Sequence, residues 1–359
     1  MSIIIAKEHE TEKKAMRDVY AQTLMELAEH DPRIVILDAD LMNSIGTVPF
    51  AKKYPERTFN CGIEEANMIG TAAGMSATGL IPFTHTFSCF ASRRVADQIF
   101  MSCAYAELNV KMIASDPGIT AAYNGGTHMA LEDMGIIRSI PNITLVEPVD
   151  GVMFADILRQ VAATKGNFYI RLLRKMAVKI YEEGSTFEIG KAITLREGTD
   201  VTIFASGICV ADALTAADLL ASQGVSAQVV NIFTIKPIDV EGITAAVSRT
   251  GAAVTAENHN IIGGLGSAVA EVLSENPAKL YGAWPRKGAI LAGSDADIVV
   301  YDPEADTTIR GEDMISEAKY TPYEGMRTRG SIAQVYLRGK LAVEHGEVKI
   351  GAAGTFIPR

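Results

Sequence analysis

Along this chain, segments with apolar residues at helical spacing alternate with short continuous apolar runs. Residues 11–29 repeat them at helical spacing, and the short apolar run RIVILDAD follows. Similar runs are VKMIAS from Val110, ITLVEP from Ile143 and FYIRLL from Phe168, with helical stretches between them. Runs that are apolar on both faces are typical of parallel strands covered by helices on both sides. The first part of the chain therefore predicts a doubly wound α/β domain.

A more polar stretch, residues 179–197, follows this domain and predicts a linker. The alternation then restarts with the strand-like runs DVTIFASG and SAQVVNI, each followed by a helical stretch. We therefore predict two doubly wound, mostly parallel-sheet α/β domains, residues 1–178 and 198–276, joined by that linker.

The pattern changes again near Asn276. From there alternating runs such as DADIVVYD and SIAQVYLRG stand between Gly or Pro residues, which is typical of strands. Residues 277–359 are therefore predicted to form a β-rich C-terminal tail. The one histidine of this tail, His345, lies in the hairpin-like run VEHGEV, so we expect it to be an exposed turn residue.

Composition narrows the classes of function that are open to the chain. Its hydrophobic share of 48% and charged share of 21% are ordinary for a soluble globular protein of 359 residues. The net charge of −10 argues against nucleic acid or an anionic membrane as the main partner. The four cysteines have no metal-ligand or disulfide spacing, and the N-terminal apolar run is too short for a signal peptide. We therefore expect a cytoplasmic protein with buried, reduced thiols.

Polar residues follow several predicted strands at their carboxyl ends, where open α/β sheets bind ligands. Asp38 and Asp40 close the first strand, Asp116 follows another, and the loop NGGTH runs from Asn124 to His128. Each residue alone has a simpler explanation, because an aspartate can cap a helix and a single histidine is more often a core residue. Their combination favours one site at this edge of the sheet.

The run FNCGIEEANMIG places two carboxylates, Glu64 and Glu65, at the start of an apolar helix. An acid in the first turn is ordinary, because free N–H groups and the helix dipole favour negative charge there, and this explains Glu64. The residues after Glu65 are apolar almost all the way round the helix, so its carboxylate should need a partner. The nearby aromatic pair Phe87 and Phe90 has helical spacing, which makes a core role its default interpretation.

Six motifs together resemble the C-terminal half of transketolase, most closely the separate C-terminal subunit of split bacterial transketolases. They are LDADL, FNCGIEEANMIGTAAGMSATG, TFSCF, NGGTH, YIRLLRK and AENHNIIGGLGSAVAEVL, and they lie within residues 14–276. The resemblance implies a pyrimidine-binding domain for thiamine diphosphate in residues 1–178 and a transketolase C-terminal domain in residues 198–276. It also implies the transfer of two-carbon ketol groups.

The resemblance assigns cofactor-binding roles to individual residues. It implies that Glu65 binds N1′ of the aminopyrimidine ring of thiamine diphosphate and relays a proton to it. Burial suits this role, because a carboxyl group in an apolar pocket has a raised pKa and shares a proton more readily. The resemblance further implies that Phe87 and Phe90 stack on and enclose the ring, and that Asp40 contributes to the cofactor site.

The resemblance also implies substrate-binding roles. His128 should bind substrate oxygens near the reacting carbons, and Arg174 should grip a phosphate or another distal anion, which suits its planar fork of donors. Many transketolases have an aspartate where Asn124 stands, and they tend to have a histidine where Ser115 and Asp116 stand. An aspartate in place of a cationic ligand would repel phosphate. This departure argues against the usual sugar-phosphate substrates but not against ketol transfer.

One family motif is missing from the sequence. Enzymes that use thiamine diphosphate hold Mg²⁺ and the diphosphate through a Gly-Asp-Gly motif, and this chain has none. We therefore expect no metal ligand in this chain. We expect an N-terminal transketolase subunit as the partner that supplies the Mg²⁺ and diphosphate site. We also expect an α2β2 assembly that acts on small ketoses and aldoses.

The tail resembles a different family, the C-terminal end of dihydropyrimidinases and D-hydantoinases. Hydantoin hydrolysis needs a metal pair held by histidines and a modified lysine in a barrel, and the sequence contains no such barrel. Two alternatives to a transketolase subunit stay open. One is a hydantoinase-related fragment and the other is an inactive chimeric chain.

Overall fold

The structure is a computed structural model that describes residues 1–275, 298–310, 312, 325, 327–338, 340–345 and 347–350. The chain forms two compact units, Met1–Ala270 and Glu271–Arg359. The first unit contains two sheets and the second contains one. Among the described residues, no helix is long and apolar enough to cross a membrane.

The first unit alternates strands and helices, as the apolar pattern predicts. Its strands are β1 (Ile34–Asp38), β2 (Thr58–Asn60), β3 (Ile81–Phe87), β4 (Lys111–Ser115), β5 (Ile143–Val146), β6 (Asn167–Leu172), β7 (Ile193–Arg196), β8 (Val201–Ala205), β9 (Ala227–Asn231), β10 (Thr234–Lys236) and β11 (Ala253–Ala256). Its α-helices are α1 (Met16–His30), α2 (Met42–Ile45), α3 (Val48–Lys53), α4 (Glu65–Ala77), α5 (Ser88–Ser92), α6 (Ala96–Gln98), α7 (Asp133–Ser139), α8 (Gly151–Ala163), α9 (Cys209–Ser222), α10 (Val240–Thr250) and α11 (Leu265–Ala270). Short 3₁₀ segments span Pro55–Arg57 and Gly118–Asn124, and a π-helical segment spans Ile99–Ala104.

The larger sheet has seven strands in the order β10, β5, β6, β4, β3, β1, β2. Its edge strand β10 is antiparallel to β5, and the other neighbours are parallel. Strands β1, β3, β4 and β6 are buried along their whole length, which explains the apolar runs that predict β1, β4 and β6. Strand β10 comes from the second predicted domain, so residues distant in sequence complete the first sheet.

The smaller sheet has four strands in the order β11, β8, β9, β7, with β7 antiparallel to β9. Strand β7 lies within residues 179–197, the stretch that we predicted as a linker. Among its residues Ile193 alone is buried, so the strand gives no apolar run in the sequence. The mostly parallel α/β fold is confirmed, and this edge strand adds to the second sheet.

Helix α1 begins at Met16 rather than at residue 11, where the apolar spacing predicts its start. Tertiary contacts hold the preceding residues in an extended conformation. Thr11 forms an antiparallel bridge with Val178, and the Glu12 carboxylate accepts the N–H of Gly151 at the start of α8. The periodicity therefore identifies the helix correctly, but contacts distant in sequence decide where it begins.

The second unit contains a four-stranded antiparallel sheet in the order β12, β13, β14, β15. These strands are β12 (Ile298–Thr308), β13 (Arg327–Leu337), β14 (Lys340–Glu344) and β15 (Glu347–Val348), and the π-helical segment Glu271–Glu275 precedes them. His345 lies exposed in the turn after β14 with a φ of 45°, as predicted. The predicted boundary at Asn276 lies outside the described residues.

All four cysteines are free thiols in the structure. Cys89 and Cys103 are buried, whereas Cys61 and Cys209 are partly exposed, so the expected burial applies fully to two of them. Burial raises the pKa of Cys103 and of Cys209 to about 12, which keeps both thiols protonated near neutral pH.

A buried guanidinium joins the two sheets of the first unit. Arg171, on β6, donates from Nε and Nη2 to the two carboxylate oxygens of Asp133, at 2.8 and 3.1 Å. Its Nη1 donates to Glu147, and its Nη2 also donates to the backbone carbonyl of Asn258 at 3.0 Å. Glu147 accepts a further hydrogen bond of 2.7 Å from Ser206. Because Ser206 and Asn258 follow strands of the smaller sheet, this cluster fastens that sheet to the larger one.

We expect Arg171→Met to lower the free energy of unfolding by about 3–5 kcal/mol, because it leaves Asp133 and Glu147 buried without their cation. Burial alone would lower the pKa of Arg171, but these two carboxylates outweigh it and raise that pKa, so the guanidinium stays charged. Urea denaturation followed by circular dichroism measures the loss.

The control is Arg159→Met, which removes an exposed ion pair with Glu26 at 3.1 Å. This variant should lose less than about 1 kcal/mol, because exposed ion pairs contribute little. Equal losses in the two variants would show that the buried cluster does not stabilise the join between the sheets.

Candidate active site

An aromatic cluster lies at the carboxyl ends of β3 and β4. Phe87 ends β3, Phe90 lies in α5, and His128 lies in the loop after the 3₁₀ segment Gly118–Asn124. The ring centroid of His128 lies 5.3 Å from that of Phe87 and 5.2 Å from that of Phe90, and both contacts are edge-to-face. The fold therefore brings together three residues that come from two separate motifs of the sequence.

The carboxylate of Glu65 is buried at the start of α4, with 1% of the residue exposed. One oxygen accepts from the Thr86 hydroxyl at 3.0 Å, and the other accepts from Nη1 of Arg94 at 2.6 Å. Glu64 precedes the helix and is exposed. The two acids thus differ as the helical pattern predicts, and the partner that Glu65 needs is a hydroxyl together with a cation.

Arg94 was not among the residues that the sequence motifs identified. Its guanidinium carbon lies 4.0 Å from the ring centroid of Phe90 while its Nη1 donates to Glu65. At the other end of the cluster, the guanidinium carbon of Arg174 lies 4.8 Å from the ring centroid of Phe87. The flat groups therefore form a continuous row, with His128 against both phenyl rings and an arginine stacked at each end.

Arg174 is already engaged by a carboxylate. Its Nε donates to Asp116 at 2.7 Å, its Nη2 donates to the same carboxylate, and its backbone N–H donates to the other oxygen at 3.2 Å. Its Nη1 donates to the hydroxyl of Ser44 on α2. The side chain of Asp116 is 2% exposed and that of Arg174 is 20% exposed. The residue that we predicted to grip an anion thus already donates two side-chain N–H groups to one oxygen of Asp116.

A buried chain of hydrogen bonds links β1, β3 and β4 near this site. His85 lies with Nδ1 2.9 Å from Asp38 and with Nε2 3.1 Å from the hydroxyl of Ser115. The groups occur in the order of a Ser-His-Asp triad, but Ser115 is fully buried and does not reach a substrate. We interpret the chain as a support for the strand ends. Sequence reasoning missed His85, because a histidine inside an apolar strand has no local signal of function.

Two other residues of the predicted site are exposed. Asp40 is exposed, has a φ of 63° and accepts a 3.0 Å hydrogen bond from the side chain of Asn60. Asn124 is the exposed last residue of its 3₁₀ segment. Arg93 pairs with Glu132 at 2.9 Å and donates to the carbonyl of Thr127, next to His128, at 3.2 Å. The roles of Asp40 and Asn124 stay predictions.

The loop that follows Asp116 is held by a residue beyond the smaller sheet. Asn258 accepts the N–H of Ile119 at 2.9 Å and donates to the carbonyl of Pro117 at 2.9 Å. Between them, Gly118 has a φ of 55°, and a Cβ atom there would lie 2.1 Å from Oδ1 of Asn258. Only glycine permits this close approach. The AENHN motif therefore contributes to the candidate site by fixing a loop.

Comparisons with known proteins cover most of the chain. A family model for the pyrimidine-binding domain of transketolase matches residues 12–178, and a model for the transketolase C-terminal domain matches residues 190–305. The second match therefore includes the first part of the segment that we predicted as a hydantoinase-like tail. The likeness of that tail to hydantoinases stays a prediction.

Individual relatives agree with these family models. The 6-deoxy-6-sulfo-D-fructose transketolase subunit SqwH of Clostridium sp. (strain MSTE9) is 55% identical over 265 residues, which are 74% of this chain and 82% of that protein. An apulose-4-phosphate transketolase subunit of Phocaeicola vulgatus is 36% identical over 264 residues, 73% of this chain and 85% of that protein. A solved split-gene transketolase, an inactive beta4 tetramer, is 45% identical with a TM-score of 0.67 and covers 72% of this chain and 85% of its own.

We expect Asn258→Ala to loosen the loop of residues 117–128 without touching the aromatic rings. Two hydrogen bonds worth about 1 kcal/mol each are lost, so amide hydrogen exchange in the loop should accelerate about tenfold or more. Mass spectrometry of peptides from this loop measures the rates. Asn142→Ala, which removes one long hydrogen bond of 3.4 Å to Ala104, is the control and should leave the loop unchanged. Unaltered exchange in Asn258→Ala would contradict the role of this residue.

Proposed function

We propose that this chain, which belongs to the transketolase family as a C-terminal subunit of the split type, transfers two-carbon ketol groups with thiamine diphosphate as cofactor. The observation that carries the proposal is the buried Glu65 carboxylate beside a flat, stacked N–H donor. The guanidinium of Arg94 both donates to Glu65 and stacks on Phe90. The aminopyrimidine ring of the cofactor needs the same two partners, so these residues fit it. When bound, thiamine diphosphate supplies the carbon nucleophile that this chemistry requires.

The residues of this chain divide the remaining tasks between them. Glu65 holds and moves a proton at the oxygen that now faces Arg94, while Thr86 fixes the other oxygen at 3.0 Å. Phe87 and Phe90 exclude water, which strengthens the hydrogen bonds of a buried carboxylate. Nδ1 of His128 lies 2.9 Å from the hydroxyl of Thr127, so Nε2 is the nitrogen that we assign to substrate oxygens.

The proposal includes a second subunit. We assign the Mg²⁺ and diphosphate sites to an N-terminal transketolase subunit and propose an α2β2 assembly, because this chain has no Gly-Asp-Gly motif. Two relatives that are named as transketolase subunits support this assignment. The solved split-gene relative, an inactive beta4 tetramer, supports it too. The substrates that we propose are small ketoses and aldoses, the class to which the two named relatives' substrates belong.

A second candidate, a hydantoinase-related fragment, has one observation in its favour, the antiparallel sheet of strands β12 to β15. We propose that strands β13 to β15, which lie beyond the transketolase match that ends at residue 305, descend from the end of a hydantoinase and take no part in ketol transfer. The third interpretation, an inactive chimeric chain, predicts that the chain stays inactive after reconstitution with the partner subunit.

Reconstitution with the partner subunit is the first experiment. The purified chain alone should not turn over a ketose, because half of the proposed site belongs to another polypeptide. Addition of the N-terminal transketolase subunit with thiamine diphosphate and Mg²⁺ should restore ketol transfer, measured by a coupled assay with a ketose donor and an aldose acceptor. Full activity of the isolated chain would contradict the two-subunit proposal. An inactive mixture would favour the chimeric interpretation.

The second experiment separates the adjacent acids. Glu65→Gln keeps the shape of the side chain but does not relay a proton, so kcat of the reconstituted enzyme should fall by about 10² to 10⁴. Thiamine diphosphate binding, followed by calorimetry, should persist. Glu64→Gln is the matched control and should behave like the natural chain, because Glu64 is exposed. Similar kinetics in the two variants would show that the role of Glu65 is misassigned.

A further inference from the structure

The guanidinium of Arg174 has few donors left for a ligand. An arginine side chain has five N–H bonds. Nε and Nη2 donate to Asp116, and Nη1 donates to Ser44, so only the remaining N–H bonds of Nη1 and Nη2 are left. A ligand therefore meets an arginine that offers hydrogen bonds but whose positive charge already has a partner.

The charge balance of this pair works against a dianion. At an effective dielectric of 20, two unit charges about 4 Å apart interact by about 4 kcal/mol. A negative charge on a ligand is therefore repelled by Asp116 about as strongly as it is attracted by Arg174. A doubly charged phosphate loses a large hydration free energy on entering such a site, and a neutral pair returns little of it. A hydroxyl or a singly charged sulfonate loses less and can still accept the remaining hydrogen bonds.

The pair is also held in place from both sides. Asp116 accepts the backbone N–H of Arg174 in addition to its side chain, and the carbonyl of the following Pro117 is bound by Asn258. Arg174 is held by Ser44 and by the ring of Phe87. Neither partner therefore turns away to meet a ligand without breaking several contacts. The pair differs in this respect from a mobile ion pair on a surface.

The other arginines around the site have carboxylate partners as well. Arg94 pairs with Glu65 at 2.6 Å, and Arg93 pairs with Glu132 at 2.9 Å. Among the arginines described at this edge of the sheet, Arg93, Arg94 and Arg174, each has its own acid. The distal end of a substrate beside Arg174 therefore meets an ion pair with Asp116 rather than a free guanidinium.

From these contacts we infer that Asp116 is a specificity-determining residue, which directs the site to substrates whose distal group is neutral or singly charged and excludes phosphate dianions. The inference rests on the proposed function, because it assigns Arg174 to the distal end of a ketose or aldose substrate. It names the chemical class of that end, a hydroxyl or a sulfonate, from the charge balance of one ion pair.

The test uses the chain reconstituted with its N-terminal subunit, and it compares aldehyde acceptors that differ only at the distal carbon. Hydroxypyruvate serves as the donor, because its carboxylate leaves as CO2 and the two-carbon group that is transferred has no distal charge. Three-carbon aldehydes that end in a hydroxyl, a sulfonate or a phosphate serve as acceptors. The natural enzyme should show a kcat/KM for the phosphate that is at least about tenfold lower than for the sulfonate at pH 8, since a like charge in contact costs more than about 1.4 kcal/mol. Equal values for the two acceptors would overturn the inference.

The decisive variant is Asp116→Asn, which keeps the shape of the side chain and removes its charge. Asparagine tolerates the left-handed backbone at this position, where φ is 51°, so the variant should fold. Its kcat/KM for the phosphate should rise about tenfold or more relative to the hydroxyl acceptor. The control is Asp31→Asn, which makes the same substitution in an exposed ion pair with Arg33 outside the site. A change of selectivity in the control, or none in Asp116→Asn, would overturn the inference.

Two further readings separate this inference from the proposed function. The second pKa of a phosphate ester is about 6, so the natural enzyme should accept the phosphate better below that pH, while the sulfonate acceptor shows no such gain.

Thermal unfolding of the chain with inorganic phosphate at pH 8 is a test that needs no enzymatic activity. Phosphate should stabilise Asp116→Asn but not the natural chain. If the reconstituted enzyme is inactive and this shift still occurs, the proposed function fails and the role of Asp116 stands. Identical shifts in the two chains would contradict that role.

Discussion

A guanidinium that is removed entirely from water must find acids, and the arrangement of the first unit depends on how Arg171 meets this requirement. Asp133 and Glu147 supply the charge, while Ser206 and the carbonyl of Asn258 complete the hydrogen bonds. Glu147, Ser206 and Asn258 follow strands of the two sheets and Asp133 begins helix α7, so neutralising one buried charge brings the two sheets together. Because an unpaired buried ion costs several kcal/mol, few other arrangements of these strand ends are accessible.

The candidate site inherits its geometry from this join. Asn258 bonds to Arg171 through its backbone and to the loop at Pro117 and Ile119 through its side chain. That loop begins next to Asp116 and leads to His128, so a residue of the second domain controls where both lie. In our interpretation the C-terminal domain therefore acts on the chemistry indirectly, by fixing the loop that carries two residues of the site.

Paired charges are the second organising feature of the site. Each arginine at this edge meets a carboxylate, and the two stacked arginines face the aromatic row from either end. Pairing allows cations to lie in a partly dry site at a moderate cost, and it leaves hydrogen-bonding capacity with little net charge. A site of this kind distinguishes ligands by the charge that they bring, because the charge of each of these three arginines already has a carboxylate partner.

The amino-acid sequence by itself determined the elements and the residue types of this protein. Apolar runs on both faces predict the parallel strands, the helical period separates Glu65 from Glu64, and six motifs identify the family. The tertiary structure alone decided the pairings between distant residues, such as Arg94 with Glu65 and Arg174 with Asp116. It also decided that β10 joins the first sheet and that α1 begins at Met16. The physical reason is the sequence separation of the interacting residues. Helix and strand periodicity reflects interactions within a few residues, whereas ion pairs and edge strands depend on the path of the whole chain.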